Sequence, residues 1–506
     1  MDSRTTPQAS HASSRLTCLW SSSLALFAFA TLTALLSRTQ ADPDLWGHLR
    51  FGLDLLDGGS LTTVDPYSYL TAGQAWINHE WLAEAAFALA WKLGGSAGLV
   101  AFKVAVLLLV FGAVYWQLAA LGVRLSHSFI MLALLLVFVI PAAGTVRPHM
   151  FTILLFALTL LVIARGERKQ YGWLWAAPAI FALWINFHGG VLAGVGIFLI
   201  WGLVHGLVQP ASWRRILPPL AAAPLACLLN PYVTGLPLFL LRTATVARPE
   251  ISEWKPLVLT SALGLFFLMT LVLSVTALIF SRRPRNLTTM VLFAVAALLP
   301  FMAERHLPLF ALTTLVFCGE HIGDVWSSNF KQIELDDRVR VWLAPPVAAA
   351  GVLMLAIALS SSGRIPIRAP FPLGAVSLLK QSGVAGNLAV DFTWGQYVIW
   401  HLGPRVQVSM DGRRETVYPD EIYRQNLEFM FGVGDWDALL TEHPTELVLT
   451  NKGFAAYNLV SLSADWYLAY EDSISALFVQ RVSPLLDPLR SAANRTTAPS
   501  AQPYFP

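Results

Sequence analysis

The sequence predicts an α-helical polytopic membrane protein with about eleven transmembrane helices and a C-terminal soluble α/β domain. Three observations carry this. The 506 residues are 56% hydrophobic and only 13% charged, where a soluble domain would carry about a quarter charged residues. Mean hydropathy is +0.58. The apolar residues fall in long separate runs up to residue 361, and strand-like and helical patterns alternate after it.

Runs long enough to cross a bilayer are centred near 17–39, 97–121, 127–143, 150–164, 172–187, 189–208, 216–230, 257–280, 287–303, 307–323 and 341–360. The first is read as a retained helix rather than a cleaved signal, since no small-residue cleavage site clearly follows it. Residues 81–93 form a further apolar piece. Glu84 interrupts it, so it is expected at the interface. Cys18, Cys227 and Cys318 all lie in apolar runs and read as small hydrophobes without a disulfide framework. Nothing resembles a basic nucleic-acid arm, and the net charge is +3, so no nucleic-acid partner is expected.

Lysine and arginine in short loops set the orientation. With residues 1–16 in the cytoplasm, Arg124, then Arg165, Arg168 and Lys169, then Arg214 and Arg215, then Arg282, Arg283 and Arg285 all fall inside. The outer side then receives the loop 40–96, Arg147 and His149, Asn186 to Gly190, Asn230 to Tyr232, Glu253-Trp254, Glu304 to His306, and the tail. The transmembrane domain is thus 17–361, and 363–484 is an extracytoplasmic domain. Strands are expected at 387–391, 405–410, 446–450, 466–470 and 475–481. Helices are expected near 394–402, 419–430, 435–442 and 453–462, giving a partly parallel sheet. Residues 485–506, rich in Ser, Ala, Pro and Thr, are expected to be disordered.

The stretch ADPDLWGHLR, 41–50, places acids at the outer end of the first span. Asp42 before Pro43 reads as a helix N-cap. Asp44 and His48 are one turn apart and share a face. Trp46, Leu49, Leu53 and Leu56 form a stripe suited to an interfacial helix. Two readings stand: a capped amphipathic helix, or an Asp-x-Asp site that binds Mg²⁺, Mn²⁺ or Ca²⁺ or activates an acceptor hydroxyl. The same loop holds Asp65 before Pro66, and His79-Glu80, where Glu80 also suits a first helical turn. Arg147, His149, His188, Arg305 and His306 gather at later outer helix ends. Arginines there suit a lipid phosphate, or snorkel and pair with Glu253 or Glu304. Asp391 and the stretch Met410 to Arg414 are strand-end turns, whose acidic and basic residues either bind an acceptor or only cap and pair; capping and pairing is the preferred reading. Inside, no Gly-rich phosphate cradle is found.

A multi-pass chain with a modified Asp-x-Asp in a long first outer loop resembles the GT-C superfamily of membrane glycosyltransferases. That superfamily includes protein O-mannosyltransferases, aminoarabinose transferases of lipid A and oligosaccharyltransferase catalytic subunits. The ordered series DPDLWGHL, DPYSY, HEW, RPH, NFHGG, NPY, EISEW and ERHLPLF, with DFTWGQY and MDGR in the tail, is similar to a set of bacterial membrane proteins described as GT-C-like. The resemblance implies inverting transfer of a sugar from a polyprenyl-phosphate donor to an extracytoplasmic acceptor, with the protein in the bacterial inner membrane. Asp42, Asp44, Asp65 and Glu80 are then candidate catalytic carboxylates, with Asp42 and Asp44 the candidate metal ligands. His48, His79, Arg147, His149, His188, Arg305 and His306 are candidate substrate-binding groups. A transporter of lipid-linked saccharides would instead place polar groups at the bilayer midplane, where Lys103 is the notable one. A non-catalytic envelope assembly protein would tolerate alanine at Asp44.

Overall fold

The computed structural model of the chain describes residues 7–244, 246, 251–329, 336–493 and 504–506. The chain divides into two compact units: one of residues 1–39, 100–144 and 149–363, the other of 40–99, 145–148 and 364–506. The long loop and the tail thus form one body, where the sequence suggested a tail domain of its own. Part of the 1–16 segment, residues 1–6, lies outside the described residues.

The first unit is all helical. Each of the eleven apolar runs coincides with a helix, and among the described residues seven helices are long and apolar enough to cross a membrane. His149–Glu167 is central, with 72% of its apolar window buried, whereas Leu19–Ser37 and Arg338–Ser362 bury 17% each. These last two belong to helices that pack along each other at the periphery, where Gly351 lets the backbone of Phe27 approach. Close helix contacts rest on small residues set against large rings. A Cβ on Gly194 would lie 2.2 Å from the Trp184 ring, and one on Gly206 2.4 Å from Trp213. Lys103 is fully buried. Its ammonium donates to the Arg38 carbonyl (3.1 Å), the Thr39 hydroxyl (2.7 Å) and the Ala143 carbonyl. All three protons are used, so Lys103 ties two helix ends.

The second unit is built on a five-stranded sheet: β1 (Gly386–Val390), β2 (Val406–Val408), β3 (Leu447–Asn451), β4 (Trp466–Glu471) and β5 (Ser475–Gln480). The order is β2-β1-β3-β5-β4. β1 pairs in parallel with β2 and β3, while β5 runs antiparallel to β3 and β4. The inner strands are near-continuous apolar runs because both faces are covered: Leu447, Val448, Leu449 and Leu477 are fully buried. The partly parallel α/β expectation holds within a residue or two for nearly every strand and helix. Helix Leu373–Ser382 was not anticipated.

Helix Leu45–Gly58 belongs to this unit and packs on Phe392–Leu402. Leu45 to Leu49 are all buried, so Trp46 and Leu49 of the expected interfacial stripe pack inside this unit, while Leu56 at its far end is 41% exposed. The apolar piece 81–93 is no separate interfacial segment either. It opens the helix Trp81–Ala120, which breaks at Gly94 and Gly95, where Gly95 takes φ 55°, a conformation that favours glycine.

The segment 485–506 is not structureless. Leu486–Ala493 is helical, and Tyr504 bridges Pro366. Phe505 is buried beside Trp46 and Trp91, with ring centroids 5.1 and 5.5 Å away. Residues 494–503 lie outside the described residues.

Candidate active site

The acids of 41–50 are set by a turn and a helix start. Asp42 Oδ1 accepts the Asp44 backbone N–H at 3.0 Å, closing a turn across Pro43. The N-cap position of Leu45–Gly58 belongs to Asp44, not Asp42, and its side chain makes no capping bond. The Asp44 carboxylate is left to face elsewhere. Arg147, brought into this unit by the short segment 145–148, answers both acids. Its Nη2 donates to Asp44 Oδ2 at 2.9 Å, and its Nε stands 2.8 Å from Asp42 Oδ1. The RPH and DPD motifs therefore meet in one ion-paired cluster. Of the two readings of Arg147, a phosphate ligand or an arginine that snorkels and pairs with Glu253 or Glu304, the structure shows pairing, with first-loop carboxylates as the partners.

Burial pushes the Asp44 carboxyl up to about 6, against the opposing pull of Arg147 and with a push from Asp42. Its side chain remains 32% exposed, compared with 10% for Asp42, 16% for Glu80 and 4% for Glu84. Asp44 is thus the carboxylate of the cluster that a ligand reaches most readily.

One turn along, His48 is buried and its Nδ1 stands 3.3 Å from Glu84 Oε1 and 3.9 Å from Glu80 Oε2. Burial alone would lower its pKa. The Glu84 hydrogen bond and the charges of Glu80, Glu84 and Asp44 overcome that and raise it to about 9. Asn78 Nδ2 donates to Glu84 Oε2 at 2.6 Å, and the Glu80 N–H to Asn78 Oδ1 at 3.1 Å. His79 Nε2 lies 3.6 Å from Glu80 Oε1. Glu84 and Asn78 were not among the sequence candidates. The signal for Glu84 was present: an acid inside an apolar run is costly unless partnered.

Asp65 does not join this cluster. It is 1% exposed. Its oxygens accept from Arg413 Nη1 (2.6 Å), the Tyr67 N–H (2.9 Å) and the Thr71 hydroxyl (2.5 Å). Arg413 also binds Asp411 through Nε and Nη2, at 3.0 and 2.7 Å, and lies over the Trp76 and Tyr67 rings. Almost wholly buried, with three donors on its two oxygens and one of them a guanidinium ringed by aromatics, Asp65 fastens the first loop to Arg413. The cap-and-pair reading of MDGR stands. Asp391 likewise caps Phe392–Leu402, accepting the Thr393 N–H at 3.0 Å.

The remaining candidates lie in the helical unit. His149 opens its helix. His188 Nδ1 accepts the Gly190 N–H at 2.9 Å and pairs with Thr152 Oγ1 at 2.8 Å, so NFHGG is a fastened turn. Arg305 stacks over Trp254 at 4.4 Å, joining the EISEW and ERH motifs, and His306 Nδ1 lies 3.0 Å from the Leu299 carbonyl.

The donor set does not fit the expected divalent cation. Arg147 already sits between Asp42 and Asp44, and a guanidinium there opposes a second cation. No group of three His, Cys, Asp or Glu among the described residues is arranged to hold a metal ion.

No family model and no curated protein sequence matches this chain. Its structure is similar to the crystal structure of ArnT from Cupriavidus metallidurans in the apo state. That likeness has a TM-score of 0.53 and 13% identity, covering 95% of this chain and 99% of the other. It is also similar to the arabinofuranosyltransferase AftD from Mycobacteria, with a TM-score of 0.53 and 14% identity, covering 90% of this chain and 41% of that one. These likenesses show that the chain has the fold of ArnT and AftD, and seven of its described helices are long and apolar enough to cross a membrane.

Proposed function

We propose that the chain is an inverting glycosyltransferase that moves a sugar from a polyprenyl-phosphate donor to a hydroxyl of an extracytoplasmic acceptor. One observation carries this reading: Asp44 is the accessible member of a buried ionic cluster, held by Arg147 and poised near neutrality by burial. General bases work best with a pKa close to the operating pH. Asp44 takes the acceptor hydroxyl proton as that oxygen attacks the anomeric carbon. The new C–O bond forms on the face opposite the departing polyprenyl phosphate, which leaves with the electron pair of the old bond. His48, kept protonated by Glu80 and Glu84, adds positive charge one turn away.

The fold likeness to ArnT and AftD supports this general kind of chemistry. The basic loops support a cytoplasmic N-terminus and an outer C-terminal domain in a bacterial inner membrane. The test is a transfer assay with purified protein in lipid, offering a panel of radiolabelled polyprenyl-phosphate sugars to wild type, Asp44→Ala and Asp42→Ala, with and without EDTA. Consumption of one donor by wild type and not by Asp44→Ala is expected, with EDTA lacking effect. Donor consumption undiminished in Asp44→Ala would reject this base.

A further inference from the structure

Lys103 has no part in the chemistry above, yet it grips both stretches of chain that lead into the site. It is fully buried in the helix Trp81–Ala120. An ammonium inside a spanning helix is costly and by default marks a functional group. Packing alone would be served by an apolar side chain of that length. Its three protons go to the Arg38 carbonyl (3.1 Å), the Thr39 hydroxyl (2.7 Å) and the Ala143 carbonyl. Helix Pro7–Ser37 ends just before Arg38, and helix Leu125–Ala143 ends at Ala143. Helix C-terminal carbonyls carry partial negative charge, so one cation suits both ends.

Asp42 follows Thr39 by three residues, and Arg147 follows Ala143 by four. Both connectors are held. Ala41 is 5% exposed and its N–H donates to the Pro366 carbonyl at 2.9 Å, while Val146 is fully buried. The two stretches meet again at the site, where Arg147 Nε stands 2.8 Å from Asp42 Oδ1 and Nη2 donates to Asp44 Oδ2 at 2.9 Å. They close a ring, bridged by an ammonium at one end and a guanidinium at the other. Slack at the first bridge would reach the second through only these short connectors.

We infer that Lys103 is a positioning residue: it clamps the chain ahead of Asp42 to the chain ahead of Arg147, and so keeps the Arg147 guanidinium on Asp44. The inference rests on Asp44 being the base. The charged groups around Asp44 are Arg147, Asp42, His48 and Glu80. Arg147 is the strongest of them and favours the ionised carboxylate. A loosened Arg147 therefore lets the Asp44 titration move up from about 6.

The experiment uses full-length protein in lipid with isotope-labelled aspartate, titrated by NMR. The Asp44 signal is the one lost in Asp44→Asn. Lys103→Met keeps the side-chain length and removes all three donors. Its Asp44 midpoint should rise by about one unit over wild type. The pH–rate profile for the polyprenyl-phosphate sugar that wild type consumes should move with it. Transfer should be about fivefold slower at about pH 6 and within about twofold of wild type at about pH 8. A merely structural lysine gives a different result: Tm and rate fall at every pH while the midpoint stays. An unmoved or lowered midpoint overturns the inference. Where Lys103→Met does not fold, Thr39→Val carries the test, since it removes one acceptor and leaves the ammonium both carbonyls. A rise of about half a unit is then expected, and no rise overturns the inference. The base reading fails separately, by Asp44→Ala transferring at the wild-type rate or by a midpoint that rises without the rate profile following. If wild type consumes no donor at all, the midpoint alone decides.

Discussion

Asp44 and His48 sit one helical turn apart, and their surroundings move both away from their usual titration ranges. Asp44 must be ionised to accept a proton, and its pKa is raised to about 6. Transfer by wild type should therefore increase as pH rises through about 6 and level off above it. Asp44→Ala should cost at least a hundredfold in rate, within the usual range for a lost general base, with the Tm preserved. A pH–rate profile and thermal unfolding check these together. His48 bears on stability. Its folded pKa of about 9 lies above the usual 6.5, so the folded state holds the proton more tightly. That contribution is complete below about 6.5 and is lost as pH rises through about 9. Wild-type Tm should fall across that window, and His48→Gln should show a flatter profile by thermal scan.

The elements are joined by pairs of motifs rather than by single residues. Arg413 fastens the turn after β2 to the first loop through Asp65 and Asp411. Removing one partner of a buried ion pair leaves an uncompensated charge and costs roughly 3–5 kcal/mol. Arg413→Ala should lose about that much stability, read from denaturant or thermal unfolding. Gly412→Ala works differently. Its Cβ would strike Asp44 Oδ1 at 2.4 Å, so activity should fall sharply for a modest stability loss. The C-terminal end gives a third case. Deleting Tyr504 to Pro506 uncovers the rings of Trp46 and Trp91 that Phe505 packs on, and the Tm should drop.

At the scale of the whole molecule, the basic loops predict which regions are accessible from each side of the membrane. In a background with Cys18, Cys227 and Cys318 replaced by alanine, Leu462→Cys, at a site 85% exposed in the second unit, should react with an impermeant maleimide in intact cells. Arg283→Cys should react only after permeabilisation. The opposite pattern would reverse the orientation. The sequence alone was enough for the helical runs, because spanning length and apolarity are local properties. It was also enough for the strands of the tail, whose buried β-rich runs are bounded by turn residues. It marked Asp42, Asp44, His48, Glu80 and Arg147, since charged groups beside apolar runs stand out. Tertiary structure alone decided what each charge does. Asp44 and Asp65 look alike in the chain. One lies open beside Arg147 and the other is sealed against Arg413, because pairing and burial depend on residues distant in sequence. For the same reason Gln396 and Gly412, unremarkable in the chain, acquired a place beside Asp44 only when the first loop and the tail folded into one unit.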